Sequence, residues 1–191
     1  LGRKYVNPVT LDTVPREEWD AVADLGVDAV WFMGAWERSP AGIAIANRNQ
    51  GLMEDFRRAL PDYRQEDNVG SPYCVRQYAV DRHLGGPEGL AIARRELAGR
   101  GVRLILDFVP NHVAPDHPWV ADHPEYFVQG SRDDVRNDPA SFVEMAGKVF
   151  ACGRDPYFPA WPDVLQLNAF QPGLRRAVIE TLLNIASQCD G

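Results

Sequence analysis

Apolar positions along this chain fall into two kinds of run. Val27–Met33 (Val-Asp-Ala-Val-Trp-Phe-Met) and Val102–Val109 are nearly continuous apolar stretches of strand length, closed by the breakers Gly34 and Pro110. Pro15–Leu25, Pro87–Arg100 and the stretch opened by Pro172 instead repeat apolar residues at intervals of three and four. Trp19, Val22 and Ala23 share a side in the first, and Leu90, Ala93 and Leu97 in the second. Leu174, Val178, Thr181, Leu182, Ile185 and Cys189 do so in the third. A proline stands at each helix start, and Gly26 and Gly101 end the first two, the usual asymmetry of helix boundaries. Trp31, in mid-strand, is expected in the core. A further strand is expected near Lys4–Val9. Residues 35–86 read as irregular apart from one amphipathic turn near Leu52–Leu60. Residues 111–163 also read as irregular, with Pro115, Pro118, Pro124, Pro139, Pro156, Pro159 and Pro162 interrupting any helix.

Strands alternating with helices, joined by short helix-to-strand turns, predict right-handed βαβ units and a parallel sheet. The long excursions follow the strands and never the helices. That asymmetry marks an α/β barrel whose strand-to-helix loops carry the site. Two clear strands, a third near the N-terminus and three helices make the expected fold a partial TIM (β/α)8 barrel, roughly its first three strands with a long loop region after the third. The expected division is 1–110 for the N-terminal strands and helices, 111–168 for the excursion, and 169–191 for the next helix. With Leu1 at one end and Cys189-Asp190-Gly191 leaving a helix at the other, the chain reads as cut at both ends.

Composition narrows the partners. A net charge of −7 and a pI near 5.1 disfavour nucleic acid or an anionic membrane as partner. No apolar run reaches the length of a membrane span. Cys74, Cys152 and Cys189 are odd in number and far apart, which fits inert thiols in a reducing compartment better than a disulfide framework.

The candidate chemistry sits at the tip of the second strand. Leu104, Leu106 and Phe108 fall on one face, and Ile105, Asp107, Val109 and Asn111 on the other. Pro110 cannot donate to a ladder, so Asp107, Asn111 and His112 should gather at the strand's C-terminal end, where α/β folds bind ligands. The plain alternative is a structural Asp107 paired with an arginine. His112, Asp116, His117, Asp122 and His123 also cluster in sequence. His112 and His117 are five apart, however, and Pro115 and Pro118 forbid the helix that would bring two histidines to one face. A polar surface loop is therefore expected there rather than a zinc site. Trp31, Trp36, Trp119 and Trp161 are candidates to line a sugar cleft, Trp31 with the core as its more expected place.

At these residues the sequence resembles the α-amylase family of glycoside hydrolases. Asp107-Phe108-Val109-Pro110-Asn111-His112 is similar to that family's Asp-x-Val-x-Asn-His signature. Ser71-Pro72-Tyr73-Cys74-Val75-Arg76-Gln77-Tyr78 resembles the stretch in which a tyrosine stacks on a sugar. Leu84-Gly85-Gly86-Pro87-Glu88-Gly89-Leu90 resembles the lead into the next helix. Asp163-Val164-Leu165-Gln166-Leu167-Asn168 resembles a later signature, in which Gln166 stands where the family usually has Asp.

The resemblance implies a retaining enzyme that hydrolyses or transfers α-glucosidic bonds in an α-glucan or small α-glucoside. It makes Tyr73 a stacking platform, His112 a hydrogen-bond partner of a sugar hydroxyl, and Asp107 a supporting residue rather than the nucleophile. It also makes 111–168 a domain-B-like excursion and Asn111 a calcium ligand, the alternative for Asn111 being a strand-end cap. Retaining glycosidases need a nucleophile and an acid/base carboxylate. By resemblance both lie beyond Gly191, so the 191-residue chain is expected to be inactive by itself. A non-catalytic relative serving as a binding or assembly subunit is the rival reading.

Overall fold

The computed structural model describes Lys4, Tyr5 and Pro8–Gly191. In chain order its elements are α1 (Arg16–Ala23), β1 (Ala29–Phe32), β2 (Trp36–Arg38), α2 (Pro40–Ala46), α3 (Gln50–Ala59), β3 (Val75–Val80), α4 (Gly86–Ala98) and β4 (Arg103–Leu106). There follow β5 (His112–Val113), α5 (Pro118–Asp122), α6 (Arg132–Asn137), β6 (Phe142–Met145), β7 (Lys148–Gly153), β8 (Trp161–Gln166) and α7 (Pro172–Gln188). The strand expected near Lys4–Val9 falls partly outside the described residues; Lys4 and Tyr5 lie in a turn and a bend. Among the described residues no helix is long and apolar enough to cross a membrane.

The chain forms two compact units. The first comprises the chain up to Glu37, Tyr78–Phe108 and Ile179–Gly191. Its centre is the parallel pair β1–β4, with Ala29 opposite Arg103 and Phe32 opposite Leu106. The two strands identified from apolar runs are thus neighbours, and α4 between them supplies the crossover that parallel strands require. α4 ends as expected. Val102 N bonds Leu97 O at 3.0 Å, Gly101 N bonds Ala98 O at 3.0 Å, and Gly101 adopts φ +76°, the left-handed conformation that closes a helix end.

Leu104 and Leu106 are buried on one face of the pair, and Trp19 stacks on Phe32 at 6.5 Å. The other face departs from expectation. Trp31 is 53% exposed and Ile105, its register partner, 39%, so Trp31 is not a core residue in this unit. Asp190 N bonds Leu104 O at 2.8 Å and Leu106 N bonds Gly191 O at 3.0 Å, so the last residues run along an edge of β4. The Leu104 amide and then Arg94, 2.5 Å away, hold the Asp190 carboxyl below its ordinary pKa.

The second unit, Arg38–Gln77 with Val109–Val178, holds most of what the sequence left irregular. Its centre is an antiparallel sheet ordered β5-β8-β7-β6. Val113, Phe127, Phe150 and Leu165 are buried at its heart, with Leu174 of α7 packed on the same cluster. The prolines do interrupt helices, yet Pro118 opens α5 and Pro124 opens a 3-10 turn, positions that need no amide hydrogen. Residues 35–86 likewise contain two helices. Ser39 Oγ accepts from Gly42 N at 2.8 Å to cap α2, and Asn49 Oδ1 accepts from Leu52 N at 3.1 Å to cap α3.

Candidate functional site

A cavity of about 380 Å³ opens in the second unit, lined among others by Tyr73, Cys74, His112, Trp161 and Asp163. Each lining group is held by a local device. Ser71 begins a turn in which Tyr73 N donates to Ser71 Oγ (3.2 Å) and Cys74 N to Ser71 O (3.2 Å). Tyr73 is left 41% exposed at the rim while Cys74 is buried. The Cys74 thiol donates to Asp163 O at 3.0 Å. Burial, with Asp163 adding to it, pushes its pKa up to about 12, so it remains protonated and serves as a fastener rather than a nucleophile. Gly42 makes the room: a Cβ there would lie 2.4 Å from Cys74 Sγ.

His112 stands on β5, 8% exposed, with its ring edge-on to Trp161 at 5.5 Å. It rests on Gly153 of β7, where a Cβ would come within 3.0 Å of His112 Cβ and 2.7 Å of Val164 Cγ2. The ring also hydrogen-bonds the Tyr73 backbone, so Tyr73 and His112 are mechanically joined. Burial lowers the His112 pKa against the opposing pull of Asp163, and the ring is neutral at neutral pH.

Asn111 and Gln166 pair with one another beside this histidine. Gln166 Nε2 donates to Asn111 Oδ1 (2.8 Å) and to Asn111 O (2.9 Å), while Gln166 Oε1 accepts from Arg154 N (3.1 Å). Asn111 Nδ2 donates to Arg154 O (3.1 Å) and lies 3.0 Å from His112 Nδ1. A calcium ion takes oxygen ligands only. Here the Asn111 oxygen that would bind one faces an N–H donor, so these residues do not fit the calcium that the resemblance implies. Among the described residues no group of three or more His, Cys, Asp or Glu is placed to hold a metal.

Asp116, His117 and His123, from the same sequence cluster, each meet different partners. Asp116 accepts from Ser39 Oγ (2.6 Å) and Ala41 N (3.2 Å), with Arg76 Nε 3.8 Å away. His117 Nδ1 accepts from Trp119 N (3.1 Å) at the start of α5, and His123 stacks on Tyr126 at 4.6 Å.

Asp107 belongs to the first unit. Its backbone carbonyl accepts from Trp36 Nε1 at 2.8 Å, and its Oδ1 accepts from Gly34 N at 3.3 Å. Its Oδ2 is buried with no hydrogen-bond partner among the described residues. Trp36 itself is fully buried, edge-on to Tyr78 at 5.5 Å, and Tyr78 packs on Phe108 at 5.3 Å. Trp36 is therefore a support beneath Asp107 and not a cleft residue. Trp119 packs against the core cluster of the second unit, and of the four candidate tryptophans Trp161 lines this cavity. Asp163 and Cys74 at the cavity lie inside quoted motifs but were given no site role from sequence. Their signal was position alone, next to Trp161 and Tyr73.

No family model matches the chain. It is 28% identical over 156 residues to an α-1,4-glucan:maltose-1-phosphate maltosyltransferase of Cereibacter sphaeroides, covering 77% of this chain and 21% of that protein. It is 25% identical over 104 residues to the amino acid transporter heavy chain SLC3A1 of Rattus norvegicus, covering 54% of this chain and 11% of that one. The chain thus spans about a fifth, or less, of these relatives. Among solved structures, an α-amylase from Lactobacillus plantarum superposes with TM-score 0.63 at 19% identity, covering 94% of this chain and 33% of that one.

Proposed function

We propose that this chain, an N-terminal portion of the α-amylase family, supplies the sugar-holding side of a barrel active site that cleaves or transfers α-glucosidic bonds with retention. The observation that carries this is the convergence of Tyr73, His112 and Trp161 on one cavity, with the rim aromatic and the neutral imidazole tied together. An aromatic face suits the apolar C–H surface of a pyranose, and polar groups gathered beside it suit the hydroxyls at the ring's rim. Sugar recognition generally needs both, because a pyranose is apolar on its faces and polar at its rim.

Asp107 takes the supporting role. Its buried, unpartnered Oδ2 is poised for a cationic donor, and an arginine beside the nucleophile would meet it. The nucleophile and acid/base carboxylates of a retaining mechanism come from outside this stretch. The 191-residue chain should accordingly give no turnover by itself.

Tyr73→Ala in the intact protein tests the reading. The expected result is a fall in kcat/KM for maltose or p-nitrophenyl α-glucoside of about 100-fold, equivalent to ~3 kcal/mol of transition-state stabilisation. The melting temperature should hardly change, since Tyr73 is 41% exposed. Unchanged turnover would remove Tyr73 from the site.

The likeness to a transporter heavy chain favours a second reading, a barrel that binds or assembles without catalysis. Absence of turnover on every α-glucoside tried, with the protein folded, would select it.

A further inference from the structure

We infer that Gln166 stands in for a cation: its side-chain amide locks Asn111, and through it His112, so that the network beside this histidine is built without calcium. The amide orientations follow from the network itself. Gln166 Oε1 accepts from a backbone N–H, that of Arg154, at 3.1 Å, so the other end of its amide must be the NH2 group. That NH2 group delivers one hydrogen to Asn111 Oδ1 at 2.8 Å and one to Asn111 O at 2.9 Å. Asn111 Nδ2 then has two acceptors in reach, Arg154 O at 3.1 Å and His112 Nδ1 at 3.0 Å. Rotating either amide by half a turn would set donor against donor or oxygen against oxygen.

Both amides therefore have all their donors used and each side-chain oxygen engaged. The Asn111 carbonyl is filled as well, since Leu167 N also donates to it at 3.0 Å. A divalent ion would need Asn111 Oδ1 free and a carboxylate at position 166 to offset its charge. Gln166 offers a neutral N–H donor where the ion would sit. It does so at no net charge, which a partly buried site tolerates far better than an unpaired ion.

The clamp has a consequence for the histidine. With Asn111 Nδ2 donating, His112 Nδ1 is the acceptor nitrogen and Nε2 carries the hydrogen. Gln166 is thus a positioning residue that acts through Asn111 to fix which tautomer of His112 is present. This inference does not depend on the identity of the sugar substrate.

The test uses the intact protein. Its melting temperature is compared in EDTA and in millimolar CaCl2, and calcium is titrated into the EDTA-stripped, dialysed protein by calorimetry. The expected results are melts that coincide within about 1 °C and no binding heat. A saturable calcium heat, or a calcium-dependent rise of several degrees, overturns the inference.

Gln166→Glu then removes the NH2 group and faces carboxylate oxygen toward the two Asn111 oxygens. Its melt in EDTA is expected to fall by about 5 °C, with part of the loss recovered in calcium. A variant as stable as the parent in EDTA would show that the amide clamp carries no weight. A third reading needs no variant at all: imidazole nitrogen shifts of His112 in the parent protein should report the Nε2–H tautomer, and finding Nδ1–H contradicts the clamp.

Discussion

Gly42 and Cys74 show how closely single side chains determine the cavity wall. An alanine at 42 would put its Cβ 2.4 Å from the Cys74 sulfur, so Gly42→Ala should cost ~1–3 kcal/mol by overpacking. Combining it with Cys74→Ala should recover part of that cost, which makes the pair non-additive in a denaturant double-mutant cycle. Strict additivity would mean that the two do not share the space.

His117 carries the clearest pH signature. Burial, helped by Arg76, pushes its pKa down to about 4 from 6.5, and its Nδ1 must stay unprotonated to accept from Trp119 N. A histidine with a depressed folded pKa contributes its full stability above 6.5 and loses it as pH falls toward about 4. The loss is on the order of 3 kcal/mol across that window. His117→Asn keeps a capping oxygen and removes the titration, so its melting temperature should fall less between those pH values than the parent's. Parallel curves would rule out His117 as a source of the acid sensitivity.

Elements were legible from sequence where one periodicity ran long enough to dominate. β1 and β4 are nearly unbroken apolar runs. α4 and α7 repeat at three and four over 13 and 17 residues. α2 and the strands β5 to β8 are between two and seven residues long, too short for either period to register, and β7–β8 is shifted in register at Cys152/Gly153. Of the two helices in 35–86, only α3 was anticipated, as an amphipathic turn near Leu52–Leu60. Prolines misled in the other direction: Pro118 and Pro124 open helical turns rather than break them. The exposed face of Trp31 and Ile105 could not be read at all. An apolar strand residue looks the same in sequence whether its face is covered or open.

Across the whole molecule, the residues that the resemblance singles out fall in both units, while the cavity itself is lined by residues of the second. Tyr73, Asn111, His112, Trp161 and Asp163 belong to one, and Asp107 with its Trp36 support to the other. Motif order along the chain singled out Tyr73, Asp107, Asn111 and His112, and of these Tyr73 and His112 line one cavity. The amide network of Asn111, Gln166 and Arg154 was not readable, because it joins residues 43 and 55 positions apart through side-chain geometry. The replacement at Gln166 was visible in sequence only as a departure from the family pattern.

Sugar recognition coupled to retaining chemistry predicts which anomer is released first. Maltose is incubated with the intact protein and the initial product followed by proton NMR before mutarotation scrambles it. A double displacement through a glycosyl–enzyme intermediate should give the α anomer first. β-Glucose as the initial product, or no turnover from a folded protein, would contradict it.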